Sequence, residues 1–165
     1  MNDEAKKCNI TPFRRPDKRV RSGNISIYQN NLKTQNHFTN AYAFLEMELY
    51  EKSIDSFDEY LQVNPRDSEV YDHKGYALYK LEKYQEAIEC YDKAVEIAPQ
   101  HVNSYCNKGS ALSKLKEYEE AMEYCDRAIE IDPRHSVSYC NKGDSLSNLK
   151  KYEEAIECYD IARTV

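Results

Sequence analysis

Residues 68–101 read SEVYDHKGYALYKLEKYQEAIECYDKAVEIAPQH, and the same pattern returns in the two segments that follow, 102–135 and 136–165. The period is marked by prolines, glycines, tyrosines and alanines at fixed offsets. They are Pro65, Pro99 and Pro133; Gly75, Gly109 and Gly143; Tyr71, Tyr105 and Tyr139; and Ala87, Ala121 and Ala155. A period of about 20 to 50 residues is typical of stacked repeat proteins, in which no unit buries its apolar face alone.

Each unit contains two segments in which apolar or small residues recur at helical spacing. A short charged turn at Glu82 and Lys83 separates the segments of residues 68–101. Pro99 ends the second segment, because it lacks an amide donor and pushes the preceding residue out of helical geometry. A glycine in mid-helix costs about 1 kcal/mol relative to alanine, so Gly75 and its equivalents indicate close approach of a partner helix. The predicted helices are 35–48 and 51–63, 68–81 and 84–97, 102–115 and 118–131, and 136–149 and 152–164.

The repeat resembles the tetratricopeptide repeat family, whose units carry an aromatic residue, Leu-Gly, Tyr, Ala, Phe and Pro at set spacings. The corresponding residues here are Tyr71-Asp-His-Lys-Gly, Ala87-Ile-Glu-Cys-Tyr and Pro99. Lys74 replaces the usual leucine, and we expect its stem to pack while its amine stays in water. The resemblance covers residues 34–165 and implies an all-α, right-handed α-solenoid of about four helix-turn-helix units. These units are 34–67, in which Ala41 and Ser53 replace the glycine and the alanine, and 68–101, 102–135 and 136–165.

Residues 1–33 differ in charge from the rest of the chain. They carry eight Lys or Arg against three Asp or Glu, so with a total of −6 the remaining residues carry −11. The run Arg14–Arg21 has few apolar residues, which predicts a disordered, basic N-terminal tail. The tail is interpreted as a solvated segment, with a nuclear-import signal or a weak contact to nucleic acid or anionic membrane as alternatives.

Composition favours a soluble protein of the cytoplasm, since there is no apolar run of transmembrane length and no secretory leader. The cysteines follow the repeat, and equivalent positions in stacked units should lie beyond the roughly 7 Å that a disulfide can bridge. We therefore interpret them as free thiols. Without a Cys-x-x-Cys pair or a histidine at ligand spacing, no metal site is predicted.

Catalytic motifs are missing from the sequence: there is no phosphate-binding glycine loop, nucleophile elbow or zinc-protease helix. The chain is therefore predicted not to be an enzyme and to hold no cofactor. His101 and His135 follow prolines between units and are expected to be exposed.

The resemblance implies that the first helix of each unit lines a concave groove. Asn107 and Asn141 are equivalent positions there, and an amide can both donate to and accept from a peptide backbone. This pair resembles the asparagine ladder of some tetratricopeptide superhelices; the alternative is an asparagine that only tolerates a solvated face. The predicted groove residues are His73, Tyr76, Lys80, Asn103, Asn107, Ser110, Lys114, Asn141, Asp144 and Asn148.

The leading hypothesis is a scaffold that binds an extended peptide or a helix of another protein. Family members that bind heat-shock chaperone C-terminal tails use a clamp of Lys, Asn and Arg. Residues at those positions include Phe38, His73 and Tyr76, which do not supply the positive charge that a carboxylate needs. Chaperone tails are therefore not expected as partners, and the acidic body favours basic or neutral ones. The alternatives are the targeting fragment of a larger transferase, nucleic-acid association through the tail, and self-association through Ile156, Tyr159, Ile161 and Ala162.

Overall fold

The computed structural model describes residues 18–165, and for residues 18–30 it describes the backbone alone. The described part of the chain is an all-α solenoid, as predicted, and contains no strand. Four units follow from pairing consecutive helices. The helices are α1 Lys18–Glu46, α2 Tyr50–Leu61, α3 Ser68–Lys80, α4 Tyr84–Ile97, α5 Val102–Lys114, α6 Tyr118–Ile131, α7 Ser136–Asn148 and α8 Tyr152–Thr164.

The start of α1 differs from the prediction. The first helix was expected at residue 35 but begins at Lys18, so residues 18–33 are helical rather than disordered. Low apolar content suggested disorder, but no proline interrupts the chain between Pro16 and Pro65, and a helix can continue through such a segment. The expected disorder of residues 1–17 lies outside the described residues. The chain divides into two parts, residues 1–33 and residues 34–165, and the four repeat units lie in the second part.

The turn inside each unit uses a non-glycine residue in the left-handed conformation. These residues, with φ between 58° and 67°, are Glu48, Glu82, Lys116 and Lys150. After α3, Glu82 N–H donates to the Tyr79 carbonyl and Lys83 N–H to the Leu78 carbonyl, each at 3.0 Å. This is the Schellman pattern, which satisfies two carbonyls at the end of a helix. It brings the second helix back along the first within a short turn.

The two helices of a unit approach most closely at the repeated glycine. A Cβ at Gly75 would lie 2.6 Å from Cε1 of Tyr91, whose side chain is fully buried. At Gly109 it would lie 2.9 Å from both the Ala121 carbonyl oxygen and Cys125 Sγ. Close approach is thus confirmed as the reason for the glycine.

The first unit makes the same contact with other residues. Ala41 takes the glycine position, and Ser53 takes the place of the alanine on the second helix. Both side chains are fully buried, and Ser53 Oγ donates to the Ala41 carbonyl at 2.8 Å. A hydrogen bond therefore joins α1 to α2 where later units rely on close packing.

Neighbouring units are joined by a lysine–aspartate pair that recurs with the period of the repeat. The pairs are Lys74–Asp58, Lys108–Asp92 and Lys142–Asp126, each from a first helix to the second helix of the preceding unit. The expectation that the amine stays in water is wrong for Lys108, whose side chain is 8% exposed. Burial alone would lower the pKa of Lys108, but hydrogen bonds to Asp92 and Tyr124 outweigh it, and the pKa is raised. The amine is charged because these partners replace water.

Replacing Gly75 with alanine tests the close approach of α3 and α4. Alanine gains about 1 kcal/mol of helix propensity, whereas overpacking a filled site costs about 1–3 kcal/mol. Because Tyr91 has no free space to move into, we expect Gly75→Ala to lower the free energy of unfolding by up to about 2 kcal/mol, measured by urea denaturation.

The control is Gln85→Ala, on the exposed face of α4. A surface change of this kind should leave the free energy of unfolding within about 0.5 kcal/mol of the wild-type value. A Gly75→Ala protein more stable than the wild type would contradict the account of close approach.

Candidate functional site

A polar pocket of about 480 Å³ lies mainly between α5 and α7. Five of the predicted groove residues line it: Ser110, Lys114, Asn141, Asp144 and Asn148. Sequence reasoning missed its other lining residues, which are Tyr79, Ser113, Lys116, Tyr118, Ser147 and Tyr159. Tyr159 occupies the packing position of Tyr91 in the repeat, so nothing in the sequence marked its hydroxyl as a groove group.

A second pocket of about 170 Å³ extends this groove toward α3. It contains Tyr76 and Asn107, two further predicted residues, and shares Ser110 and Asn141 with the first pocket. Ser110 Oγ donates to the Tyr79 hydroxyl at 3.2 Å, which ties the two helices together at the groove floor. Seven of the ten predicted residues therefore line one continuous groove, while their role in binding stays a prediction.

The remaining three predicted residues lie outside these two pockets. His73 packs edge-on against the ring of Tyr42, with centroids 4.8 Å apart. The Lys80 ammonium lies 5.9 Å from the ring centroid of Tyr50, and Asn103 is exposed near the start of α5. His73 and Lys80 therefore contact aromatic rings of the first unit instead of lining the groove.

Asn107 takes part in a buried hydrogen-bond network between the second and third units. Its Nδ2 donates to Oδ1 and Oδ2 of Asp72 at 3.2 and 3.4 Å, and Ser104 Oγ donates to Asp72 Oδ1 at 2.7 Å. Asp72 is 6% exposed. Ser104 Oγ is also hydrogen-bonded to His101, whose Nδ1 lies 2.7 Å away. These bonds satisfy a buried carboxylate, which would otherwise be costly to bury.

We call the contact between two neighbouring units a joint. The joint between the third and fourth units repeats this network, with the Cys106 thiol in place of the Asp72 carboxylate. Asn141 Nδ2 lies 3.2 Å from Cys106 Sγ and 3.4 Å from the Cys106 carbonyl oxygen, and His135 Nδ1 lies 2.7 Å from Ser138 Oγ. Both asparagines thus hold neighbouring first helices together. An amide that also contacts a peptide would offer its oxygen or its remaining N–H.

The histidines between units are not the exposed groups that the sequence suggested. His101 and His135 are half-buried because each precedes a helix whose third residue is a buried serine, and the ring turns back onto that serine. His101, Ser104 and Asp72 resemble a catalytic triad in composition alone. In a triad the histidine lies between the serine and the carboxylate. Here Ser104 lies between the other two, and its side chain is fully buried.

The cysteines of the described chain are free thiols: Cys90, Cys106, Cys125 and Cys158 are buried and Cys140 is exposed. Burial raises the pKa of Cys90 to about 11 and raises that of Cys106 as well. Because the thiolate is the reactive form, these two thiols are poor nucleophiles at neutral pH.

Across residues 18–165 no group of three His, Cys, Asp or Glu side chains is arranged to hold a metal ion. The helices of this part of the chain also lack the length and apolar character of a membrane span.

Three features define a helical-repeat module: paired helices, turns that each contain one residue in the left-handed conformation, and a groove lined by the first helices. Models of the tetratricopeptide repeat match residues 102–135 and 124–157, and a further repeat model of the same family matches residues 75–116. Together they cover residues 75–157. The chain belongs to the tetratricopeptide repeat family, whose members are in general non-catalytic modules that bind proteins or peptides.

Solved structures share this fold, whereas no curated protein sequence matches the chain. MamA residues 41 to the end, from Desulfovibrio magneticus RS-1, are 24% identical with a TM-score of 0.72, covering 79% of this chain and 73% of that one. YrrB, a repeat protein of the same family with an unusual peptide-binding site, is 22% identical with a TM-score of 0.69, covering 78% and 66%. The second repeat domain of Spaghetti (RPAP3), bound to the HSP90 peptide SRMEEVD, is 27% identical with a TM-score of 0.58, covering 62% and 95%.

The two asparagines should differ in their contribution to stability. Asn107→Ala removes a donor from a buried carboxylate, and hydrogen bonds to charged groups contribute about 1.5–3 kcal/mol. Asn141→Ala removes contacts of the same length, but to a neutral thiol and a carbonyl oxygen, and should cost about 1 kcal/mol or less. Urea denaturation of the two variants measures the difference. Equal losses would contradict the assignment of Asp72 as a buried carboxylate that depends on Asn107.

Proposed function

We propose that this chain is a non-catalytic scaffold that binds an extended peptide or a helix of a partner protein in the groove formed by the first helices. The observation that carries the proposal is the continuous groove, where seven residues predicted from the repeat lie together. Its fold and family are those of protein-interaction modules.

The chemistry of the groove suits a peptide backbone. The amides of Asn141 and Asn148 and the hydroxyls of Ser110 and Tyr79 supply donors and acceptors together, as the alternating N–H and C=O groups of an extended peptide require. The half-exposed ring of Tyr76 and the exposed side chain of Val137 offer apolar contacts at the α3 end. YrrB, with its peptide-binding site on the same fold, supports this proposal.

The net charge of −11 on residues 34–165 favours a basic or neutral partner. Asp144 lies inside the larger pocket, and the whole chain has a net charge of −6. Lys114 and Lys116 line the same pocket, and the neutral amide of Asn141 lines both pockets of the groove. The domain of Spaghetti binds an acidic peptide, SRMEEVD. We propose that this chain does not bind such chaperone tails, because Phe38, His73 and Tyr76 do not supply the positive charge that a carboxylate needs.

A pull-down from a cell lysate followed by measurement of binding to the purified partner tests the proposal. Asn148→Arg places a long cationic side chain in the larger pocket. It should weaken the affinity for the partner at least about tenfold, because it blocks the groove at an exposed position. Gln85→Arg makes a similar change on the outer surface of α4 and should bind like the wild type. The peptide SRMEEVD should not bind either protein. A partner that binds Asn148→Arg and Gln85→Arg equally would overturn the groove proposal.

The basic N-terminal segment needs a separate control, because Arg14–Arg21 lies partly outside the described residues. A chain lacking residues 1–33 should keep the partner if the groove is the binding site. Loss of the partner in this truncated chain alone would favour the nucleic-acid or import interpretation. A catalytic activity that survives in the purified chain would refute the non-catalytic scaffold.

Self-association is a second candidate because α8 exposes large apolar side chains. Ile156 and Ile161 are 59% and 41% exposed, whereas Tyr159 folds back and donates to Asp144 at 2.7 Å. We expect the molar mass from light scattering to rise with protein concentration, and Ile156→Asp to abolish the rise by placing a charge on the contact. Val63→Asp, at an exposed apolar residue after α2, is the control. A wild type that stays monomeric at every concentration would rule the candidate out.

A further inference from the structure

A third pocket, of about 270 Å³, opens between the second helices α2 and α4, away from the α5–α7 groove. Its apolar part consists of Ile54, Leu78 and Cys90, and Lys74 lies beside them in its ion pair with Asp58. Five carboxylates line the pocket against two lysines. The Cys90 thiol is protonated at neutral pH, since burial raises its pKa to about 11. The pocket is thus an apolar cleft with one amine, surrounded by negative charge.

The equivalent place one unit later is filled by a tyrosine of the chain itself. Tyr124 occupies the repeat position of Cys90, and Lys108 and Asp92 occupy those of Lys74 and Asp58. The Lys108 ammonium lies 4.1 Å from the ring centroid of Tyr124 and donates to its hydroxyl at 2.9 Å. This joint therefore shows which side chain fits the lysine–aspartate pair.

The exposure of the lysines follows the presence of the tyrosine. Lys108, covered by Tyr124, is 8% exposed, whereas Lys74, beside Cys90, is 19% exposed. At the last joint Lys142 is 28% exposed, and the equivalent residue is again a cysteine, Cys158. Met122 replaces Ile54 at that joint and packs against Cys158 and its neighbours. In the joint between the first and second units, the small residue Cys90 therefore leaves an open, preformed cleft beside Lys74.

We propose that the pocket between α2 and α4 binds a tyrosine side chain presented by a basic segment of a partner protein. The ring would lie on Ile54, Leu78 and Cys90 with its face toward the Lys74 ammonium, and its hydroxyl would accept from that amine as Tyr124 accepts from Lys108. A cation over an aromatic face is attracted by the ring quadrupole. The carboxylates around the opening, Glu51, Asp55, Glu86 and Glu89, select lysine or arginine beside the tyrosine.

The test uses the full chain and the synthetic peptide acetyl-Lys-Lys-Tyr-Lys-Lys-amide, with forms in which Phe or Ala replaces Tyr. Binding is measured by calorimetry, and backbone amide NMR shifts locate the site. We expect the Tyr peptide to bind at least about tenfold more tightly than the Ala peptide, the Phe peptide to bind in between, and the shifts to centre on Lys74 and Cys90. Equal binding of the Tyr and Ala peptides would mean attraction by charge alone and would overturn the proposal.

A matched pair of variants exchanges the two joints. Cys90→Tyr fills the cleft with the residue that the next unit carries there, so it should fold like the wild type by circular dichroism and lose the preference for Tyr over Ala. Tyr124→Cys should keep the wild-type site. Asn148→Arg, which blocks the α5–α7 groove, should bind the peptide normally, so the groove proposal can fail without affecting this one. Should Cys90→Tyr fail to fold, the NMR shifts of the wild type decide the location, and shifts centred elsewhere would contradict the assignment.

Discussion

The contact between the glycine of one helix and the side chain opposite it in the same unit is the constraint on which the other features depend. At Gly75 and Gly143 the facing side chain is a tyrosine, and a Cβ at either glycine would lie 2.6 Å from that ring. Such contact leaves no freedom in the spacing of the helix pair, because buried side chains in a packed core have few alternative positions. The face that each first helix presents to the groove follows from this packing.

Polar joints between units stack these rigid pairs. A lysine–aspartate pair occupies the outer part of each joint, and a network of histidine, serine and asparagine occupies the groove side of two of them. The same asparagines that line the groove therefore also hold the solenoid together. The residues in these contacts differ from joint to joint. The asparagine donates to Asp72 in one joint and to Cys106 in the next, and the lysine lies beside Cys90 in the first joint and beside Tyr124 in the second.

Most of the fold could be predicted from the sequence because the repeat shows each structural requirement several times. The seven helices after the first and the glycine contact follow from periodicity, and the general position of the groove follows from the family resemblance. The start of α1 could not, because residues 18–33 lie outside the repeat and their low apolar content resembles that of a disordered segment. The burial of Lys108 was also missed, since a lysine amine enters a core where an aspartate and a tyrosine hydroxyl replace its water.

Secondary structure, the pairing of helices and the family depend on local spacing that recurs in every unit, so the sequence alone was enough to establish them. Which side chains share a pocket, and which polar groups are already partnered, emerged from the stacked units and not from the pattern. The amide of Asn107 bonds Asp72, 35 residues earlier, and the cleft at Cys90 is bounded by three helices. Such contacts join residues of different units, and their geometry depends on how those units pack, which local spacing does not specify.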